Sequence, residues 1–264
     1  MLEGEEMNYL NVVSLGAGKQ SSYMLINALE GKYKFRPDLA IFSDTGCEPK
    51  YVYEYLEWLK SYCKNNYDFE IVTVTAGNLK QDVIDYVEGR RKRVAMIPLR
   101  LEADGMVMRQ CTMDYKISPL RKYLQKIREG RRVRLWIGIS LDEMERAKIS
   151  NVKYIENYYP LLENRITIDQ ILAFFDYRSL PEPGKSACLI CPFHSFGYWS
   201  LLKRWSKKEF DEACQFDDLI RNYPGLEKKA YLSNHLKPLR DVDFSQHPSL
   251  YPEMIEECHG MCGL

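Results

Sequence analysis

The chain has 264 residues, with 37 basic and 37 acidic side chains, so its formal net charge is zero. Apolar residues make up 45% and charged residues 28% of the chain, as is typical of soluble globular proteins. This balance gives no indication of nucleic-acid binding, although local basic clusters could still contribute to it. The first ten residues are acidic and short of apolar length, and no run of about 18 apolar residues follows. We therefore expect a cytoplasmic protein without a membrane span.

Strands and helices alternate along the first part of the chain. In chain order, the pattern predicts strands at residues 10–14, 39–42, 70–75 and 133–139, and helices at 21–30, 51–63, 78–88 and 116–129. Ser21 and Ser22 are candidate caps for the first helix, and Asn78 for the third. This alternation predicts an α/β fold with a doubly wound parallel sheet.

The alternation fades after about residue 150. Helices are predicted at residues 168–177 and 199–223, the second with an interruption near Ser206. We expect a cysteine-rich, mostly helical lobe in this second part of the chain.

A glycine-rich turn, SLGAGKQSS, joins the first predicted strand to the first helix. Small residues let backbone N–H groups approach a phosphate, the helix N-terminus favours negative charge, and Lys19 can reach phosphate oxygens. The turn's predicted nucleotide-binding residues are Ser14, Gly16, Gly18, Lys19, Gln20, Ser21 and Ser22. A tight turn without a ligand is one alternative. A dehydrogenase fingerprint is another, with Asp44 near the expected acid, whereas a Walker loop is excluded because GxxxxGK[ST] is absent.

Charged side chains follow the second and fourth predicted strands. They are Asp44, Glu48, Asp142, Glu143 and Arg146. The carboxyl ends of parallel strands share the edge at which ligands of open α/β sheets bind, and carboxylates there can hold Mg²⁺ or a ribose. Helix capping is the alternative role for the acids. Gly138, in the WIGIS segment before Asp142, belongs to the same predicted nucleotide site.

Five of the eight cysteines form a pattern. Cys188 and Cys191 form a CxxC, Cys258 and Cys262 lie near the end of the chain, and Cys111 stands alone. In the cytoplasm such cysteines more often bind metal or carry out redox chemistry than form structural disulfides. A tetrahedral zinc site at Cys188, Cys191, Cys258 and Cys262 is one hypothesis, and free thiols are another. Cys47, Cys63 and Cys214 are expected to be structural.

Five ordered motifs resemble the phosphoadenosine phosphosulfate reductase family of the PP-loop ATP pyrophosphatase superfamily. They read SLGAGKQSS, SDTGCEP, RQCTMDYKISPL, WIGISLDEMER and SACLICPF. The resemblance runs from about Val12 to the end of the chain and is closest to phage and mobile-element members, which share YIENYYPL-like and GMCGL-like segments. Three positions depart from the family. Gln20 replaces an acid, Ser140 replaces an arginine, and Thr112 replaces the second cysteine of a pair.

The resemblance implies a Rossmann-like PP-loop domain at residues 1–150 and a lobe at 151–264 that carries cluster ligands. It also implies ATP or another adenine nucleotide with Mg²⁺, and contact of Lys116 with that nucleotide. Cysteines at three family positions imply a [4Fe–4S] cluster held by Cys111, Cys188 and Cys191. We assign Cys258 as the fourth ligand and Cys262 as a reactive thiol; the reverse assignment is the alternative, as is zinc.

Three functions follow from this resemblance. In the first, ATP adenylylates an acceptor such as a nucleic-acid base, pyrophosphate leaves, and a sulfur or similar nucleophile displaces AMP. Lys19, Asp44 and Lys116 would be catalytic, and a sulfur donor protein would be a partner. In the second, a thiol-dependent reductase acts on a sulfonucleotide with Cys262 as nucleophile and a thiol reductant as partner. In the third, the chain is a non-catalytic, nucleotide-sensing subunit of a modification complex.

Two basic clusters remain. They comprise Arg90, Arg91, Lys92 and Arg93, and Arg128, Arg131, Arg132 and Arg134. Solvated faces are the expected role, and contact with a phosphate backbone is the alternative.

Overall fold

The computed structural model describes residues 9–103 and 105–244. The strands are β1 (Tyr9–Leu15), β2 (Leu39–Asp44), β3 (Ile71–Thr75), β4 (Arg100–Leu101), β5 (Arg132–Ile137), β6 (Ile155–Tyr158) and β7 (Ala230–Tyr231). The helices are α1 (Lys19–Leu29), α2 (Lys50–Tyr67), α3 (Leu79–Val87), α4 (Ser118–Ile127), α5 (Pro160–Glu163), α6 (Ile168–Tyr177), α7 (Phe196–Trp205) and α8 (Lys207–Leu219). A π-helical turn, Met113–Ile117, precedes α4, and a 3₁₀ turn, Leu141–Arg146, follows β5.

Five parallel strands form the main sheet in the order β3-β2-β1-β5-β6. Val13 of β1 lies opposite Ala40 of β2 and Trp136 of β5. The predicted α/β fold is therefore confirmed. The strand order reverses between β1 and β5, which places the glycine turn after β1 at the switch point, where such sheets bind ligands. Because β6 pairs with β5, the sheet continues past residue 150, and the division into two domains at that residue stays a prediction.

Helices cover both faces of the sheet. Val12 and Val13 are neighbours on β1, both fully buried, and they belong to different core clusters. Successive side chains on a strand point to opposite faces, so each belongs to the core on its own side. Burial on both faces explains why β1 is a nearly continuous apolar run in the sequence.

A third core joins the segment before α4 to the lobe that follows α6. Leu99, Trp199 and Phe216 are buried together in it. Strand β4 pairs antiparallel with β7, with Arg100 opposite Tyr231. The sequence pattern did not predict this pairing, since both strands have only two residues.

The predicted helix ends are partly correct. Asn78 caps α3 through its side chain, which accepts a hydrogen bond from the Gln81 backbone N–H at 2.9 Å, and a break at Ser206 separates α7 from α8. The predicted caps for the first helix are wrong. Helix α1 begins at Lys19 after Gly18, so Ser21 and Ser22 lie inside it. Within the described residues, no helix combines the length and the apolar character needed to cross a membrane.

Candidate functional site

The glycine turn has a hydrogen-bonded shape that leaves the start of α1 suited to an anion. Ser21 Oγ accepts from the Gly16 backbone N–H at 3.2 Å and donates to the Gly18 carbonyl at 3.4 Å. Ala17 adopts the left-handed conformation, with φ of 57°. No side chain caps α1, and its first turn contains no acid. Backbone N–H groups at such a helix start carry the positive end of the dipole.

Lys19 is the first residue of α1, whereas the sequence pattern placed it in the turn before the helix. Its Nζ is 2.5 Å from Glu182 Oε1, in the segment that precedes the CxxC. The two side chains are 26% and 51% exposed, so the pair is worth about 1 kcal/mol at most.

Three predicted nucleotide-site residues lie together in one network. Gln20 is buried, and its Nε2 donates to Glu143 Oε2 at 2.7 Å and to Ser140 Oγ at 3.3 Å. Its Oε1 accepts from the Ser140 backbone N–H at 3.2 Å. Arg146 Nη1 lies 2.5 Å from the same Glu143 oxygen. The network ties the start of α1 to the segment after β5, so Gln20 has a structural role at this position.

Two further residues of the predicted site have packing positions. A Cβ on Gly138 would lie 2.9 Å from Ser21 Cα and N, so only glycine lets the end of β5 approach α1 this closely. Ser22 is fully buried beside Tyr55. Ser14 is partly buried at the end of β1. Ligand contact by these three residues stays a prediction.

The acids at the sheet edge have defined local partners. Asp142 Oδ2 accepts from the Ile168 backbone N–H at 2.7 Å, at the start of α6. Asp44 Oδ1 accepts from the Gly46 backbone N–H and from Tyr53 Oη, both at 2.8 Å. Asp142 thus has the helix-capping role that was the alternative for these acids, while Asp44 is held in place at the end of β2.

Three predicted metal ligands line one small cavity. Cys111, Cys188 and Cys191 surround it together with Thr45 and Lys116, and its volume is about 30 Å³, roughly that of one water molecule. Thr45 directly follows β2, so the cavity lies at the same sheet edge as the glycine turn. We call it the thiol cavity. Cys258 and Cys262 fall outside the described residues.

Polar groups surround the Cys188 thiol. Its Sγ is 3.2 Å from Thr45 Oγ1 and donates to Glu48 Oε1 at 3.7 Å. Lys116 Nζ lies 3.2 Å from that Glu48 oxygen, and the Glu48 side chain is fully buried. A hydrogen bond with Cys47, together with burial, raises the pKa of Cys188 well above its usual value.

The donor chemistry of the thiol cavity fits a cysteine-bound metal centre. Within residues 9–103 and 105–244, no three Cys, His, Asp or Glu side chains are close enough to hold one ion. Thiolates bind both zinc and iron–sulfur clusters, so the choice between the two stays a prediction.

One segment joins the thiol cavity to the glycine turn. Ser186 Oγ donates to the Gly16 carbonyl, and Tyr51 Oη donates to the Lys185 carbonyl at 2.8 Å. A Cβ on Gly184 would lie 2.4 Å from the Tyr51 ring, so glycine is required there. Cys188 follows two residues after Ser186, so this contact holds the CxxC near the glycine turn.

His194 contacts the backbone of the CxxC segment. Its Nε2 is 2.8 Å from the Cys188 carbonyl, and its ring stacks on Tyr198 with centroids 3.5 Å apart. Burial lowers the pKa of His194 well below its usual value, so the ring is neutral at pH 7.

Sequence reasoning missed several of these contacts. Cys47 was assigned to the core, yet its Sγ lies 3.5 Å from the Thr45 hydroxyl that also contacts Cys188. The only available signal was the position of Cys47 in SDTGCEP, directly after a strand. The pairing of Glu48 with Lys116 joins residues 68 positions apart in sequence and has no local signal.

Comparison with known proteins finds similarity among solved structures only. No protein-family model and no curated protein matches the chain. Among solved structures, the chain is similar to the U34-tRNA thiolase NcsA from Methanococcus maripaludis, determined with its [4Fe-4S] cluster. The identity is 16%, the match covers 97% of this chain and 81% of that one, and the TM-score is 0.46. At these values the likeness carries no conclusion about function.

Proposed function

We propose that this protein is a PP-loop enzyme that uses ATP with Mg²⁺ to adenylylate an acceptor, releasing pyrophosphate, for transfer of sulfur or a similar group. The observation that carries the proposal is the link between Ser186 and Gly16, which joins the thiol cavity to the glycine turn. A phosphate-binding turn and a set of thiols at one sheet edge suit a reaction that activates an oxygen and then replaces it with sulfur.

In this proposal each part of the site has a role. The N-terminus of α1 and Lys19 bind the phosphates. Asp44, fixed at the end of β2, helps to hold Mg²⁺. Lys116 stabilises negative charge between the two halves of the site. Cys111, Cys188 and Cys191 hold a [4Fe–4S] cluster, whose chemistry when bound is to carry sulfur to the activated acceptor.

The main alternative is a thiol-dependent reductase of a sulfonucleotide with Cys262 as nucleophile. Its favouring observation is the Cys262-Gly263-Leu264 ending, which is similar to the cysteine-bearing tail of the reductases. Ser140 argues against the reductase, because reductases carry an arginine at this position and Ser140 is fully buried beside Gln20. A nucleotide-sensing subunit without turnover is the remaining alternative.

Two measurements on anaerobically purified protein test the proposal. Pyrophosphate release from ATP is measured with and without bulk tRNA or single-stranded DNA, and sulfite release is measured from adenosine phosphosulfates with a thiol reductant. Acceptor-dependent pyrophosphate supports the proposal. Sulfite release would replace it with the reductase, and nucleotide binding without either product would replace it with the sensor.

Iron content tests the ligand assignment separately. Cys188→Ser should lose iron and visible absorbance, whereas Cys63→Ser, which changes a buried thiol of the sheet core, should keep both. Stoichiometric zinc in colourless wild-type protein would overturn the cluster. Iron retained in Cys258→Ser but lost in Cys262→Ser would exchange the roles of those two residues.

A further inference from the structure

One stretch of this neutral chain carries a local excess of positive charge. Residues 121–157 contain ten arginines and lysines but only five aspartates and glutamates. The stretch includes the second basic cluster noted in the sequence, to which the proposed reaction assigns no role. It forms the end of α4, strands β5 and β6, and the loop between them.

A large cavity lies along β6, which is an edge strand of the sheet. Its volume is about 610 Å³, and its charged lining consists of Arg132, Lys148, Lys153 and one acid, Glu156, whose Oε2 is 3.4 Å from Arg132 Nη2. Arg128, next to it in the fold, lies over the Tyr154 ring at 4.7 Å. We call the set formed by Arg128, Arg132, Lys148, Lys153 and Tyr154 the β6-edge surface.

The loop that presents this surface is held in a fixed shape. Tyr159 Oη donates to the Lys148 carbonyl at 2.7 Å and accepts from the Lys148 backbone N–H at 2.9 Å. Asn157 Nδ2 donates to the same carbonyl at 2.9 Å. The backbone of Lys148 is thus anchored while its side chain is exposed, and the adjacent Ile149 is 94% exposed. A fixed loop pays little conformational entropy when it binds a ligand.

The surface is also continuous with the candidate site. Ala147, at the start of the loop, directly follows Arg146, which contacts Glu143 and through it Gln20 beside the glycine turn. A ligand bound along β6 would therefore extend from the cavity toward the carboxyl edge of the sheet.

We propose that the β6-edge surface binds the phosphate backbone of a single-stranded nucleic acid. Spaced cations along a groove can bind the phosphates of such a strand, and the exposed Ile149 side chain can contact its bases. Its role in presenting an acceptor base to the glycine turn rests on the proposed function, whereas the binding itself does not.

The test measures fluorescence anisotropy of labelled 20-nucleotide RNA and DNA single strands at several salt concentrations. The double variant Lys148→Gln/Lys153→Gln should bind at least tenfold more weakly than wild type. Its salt dependence, as log affinity against log salt, should be shallower by about 1.4, since each phosphate contact on a single strand contributes roughly 0.7. The matched control Lys207→Gln/Lys208→Gln makes the same charge change at exposed positions of α8 and should bind as wild type.

Equal affinities for the two double variants would overturn the proposal. Competition by poly-L-glutamate as strong as that by unlabelled oligonucleotide would also overturn it, in favour of an acidic protein partner. Calorimetry with ATP separates the two proposals, because the Lys148/Lys153 variant should keep wild-type ATP affinity. If wild-type protein binds the strand at this surface but releases no pyrophosphate, the binding proposal stands and the proposed reaction is wrong.

Discussion

Ser186 donates a hydrogen bond to the carbonyl of Gly16, and so joins the cysteine-bearing segment to the turn at the switch point of the sheet. Because Gly16 begins that turn and Cys188 follows Ser186 by two residues, a change at this contact reaches both halves of the candidate site.

Removal of the Ser186 hydroxyl should therefore weaken nucleotide binding without unfolding the protein. We expect Ser186→Ala to lower ATP affinity by about 1 kcal/mol, the typical worth of one hydrogen bond, because the turn loses a positioning contact. Ser61→Ala removes an exposed hydroxyl of α2 that bonds only within its own helix, and should leave affinity unchanged. Isothermal titration calorimetry measures the ATP affinity of both variants.

Lys19 should contribute more than Ser186 to the free energy of ATP binding. Lys19→Ala is expected to weaken ATP binding by about 1–3 kcal/mol, the range for a charge-assisted contact with phosphate. Lys32→Ala, an exposed lysine beyond the end of α1, serves as the charge-matched control. Equal ATP affinity of Lys19→Ala and wild type would remove Lys19 from the phosphate site.

Two glycines with positive φ allow backbone strain to be separated from crowding. Gly31 has φ of 74° and open space around it, whereas a Cβ on Gly46, at φ of 70°, would lie 2.9 Å from Asn78 Cα. Gly31→Ala should lower the free energy of unfolding by about 1 kcal/mol through backbone strain alone. Gly46→Ala should cost about 2 kcal/mol more, because the Asn78 backbone must move. Urea unfolding of both variants measures the difference, and equal losses would contradict the crowding argument.

Two cysteines should be chemically inert in the folded protein. Burial raises the pKa of Cys63 to about 12 and that of Cys214 to about 11. Since the thiolate is the reactive form, iodoacetamide at pH 8 should leave both unmodified until the protein is unfolded in urea. Mass spectrometry of tryptic peptides gives the answer, and fast labelling of either thiol in native protein would show that it is not part of a packed core.

Asp217 should make stability depend on pH in an unusual direction. Burial raises the pKa of its carboxyl above the usual value, although its two oxygens accept from the Leu232 and Leu239 backbone N–H groups. Between the unfolded and folded pKa values the native state binds more protons, so this residue's contribution to stability falls as pH rises through that window.

The Asp217→Asn variant has no titrating carboxyl at this position, so its free energy of unfolding should lack this pH-dependent contribution. The variant should lose about 3 kcal/mol at neutral pH, because Arg221 is left without its buried partner. The gap in unfolding free energy between wild type and variant should widen as pH is lowered from 6.5 toward 4. A gap that is constant with pH would mean that the folded and unfolded carboxyls titrate alike.

The main sheet was predictable because its signals are local. Strands β1, β2, β3 and β5 are short apolar runs between turn residues, and α2 shows a clear helical period. Strand β6 was not predicted, since its four residues, Ile155 to Tyr158, include the polar pair Glu156 and Asn157.

The site was predictable in composition more than in arrangement. The glycine turn and the cysteine pattern named the residues, but hydrogen bonds between distant segments decide what each side chain contacts. Gln20 illustrates this, because its partners Ser140 and Glu143 lie more than a hundred residues away in sequence.

The third core bears on whether a fragment of the chain can be expressed alone. Ile97 and Leu99 lie between α3 and α4 in sequence, yet they are buried against side chains of α7 and α8. A fragment ending at residue 150 would expose both of them to water, along with the open edge of β5 that β6 normally covers. We expect such a fragment to aggregate when expressed alone. Co-expression with the remaining part, residues 151–264, should restore a soluble protein, because the two pieces complete each other's apolar surfaces.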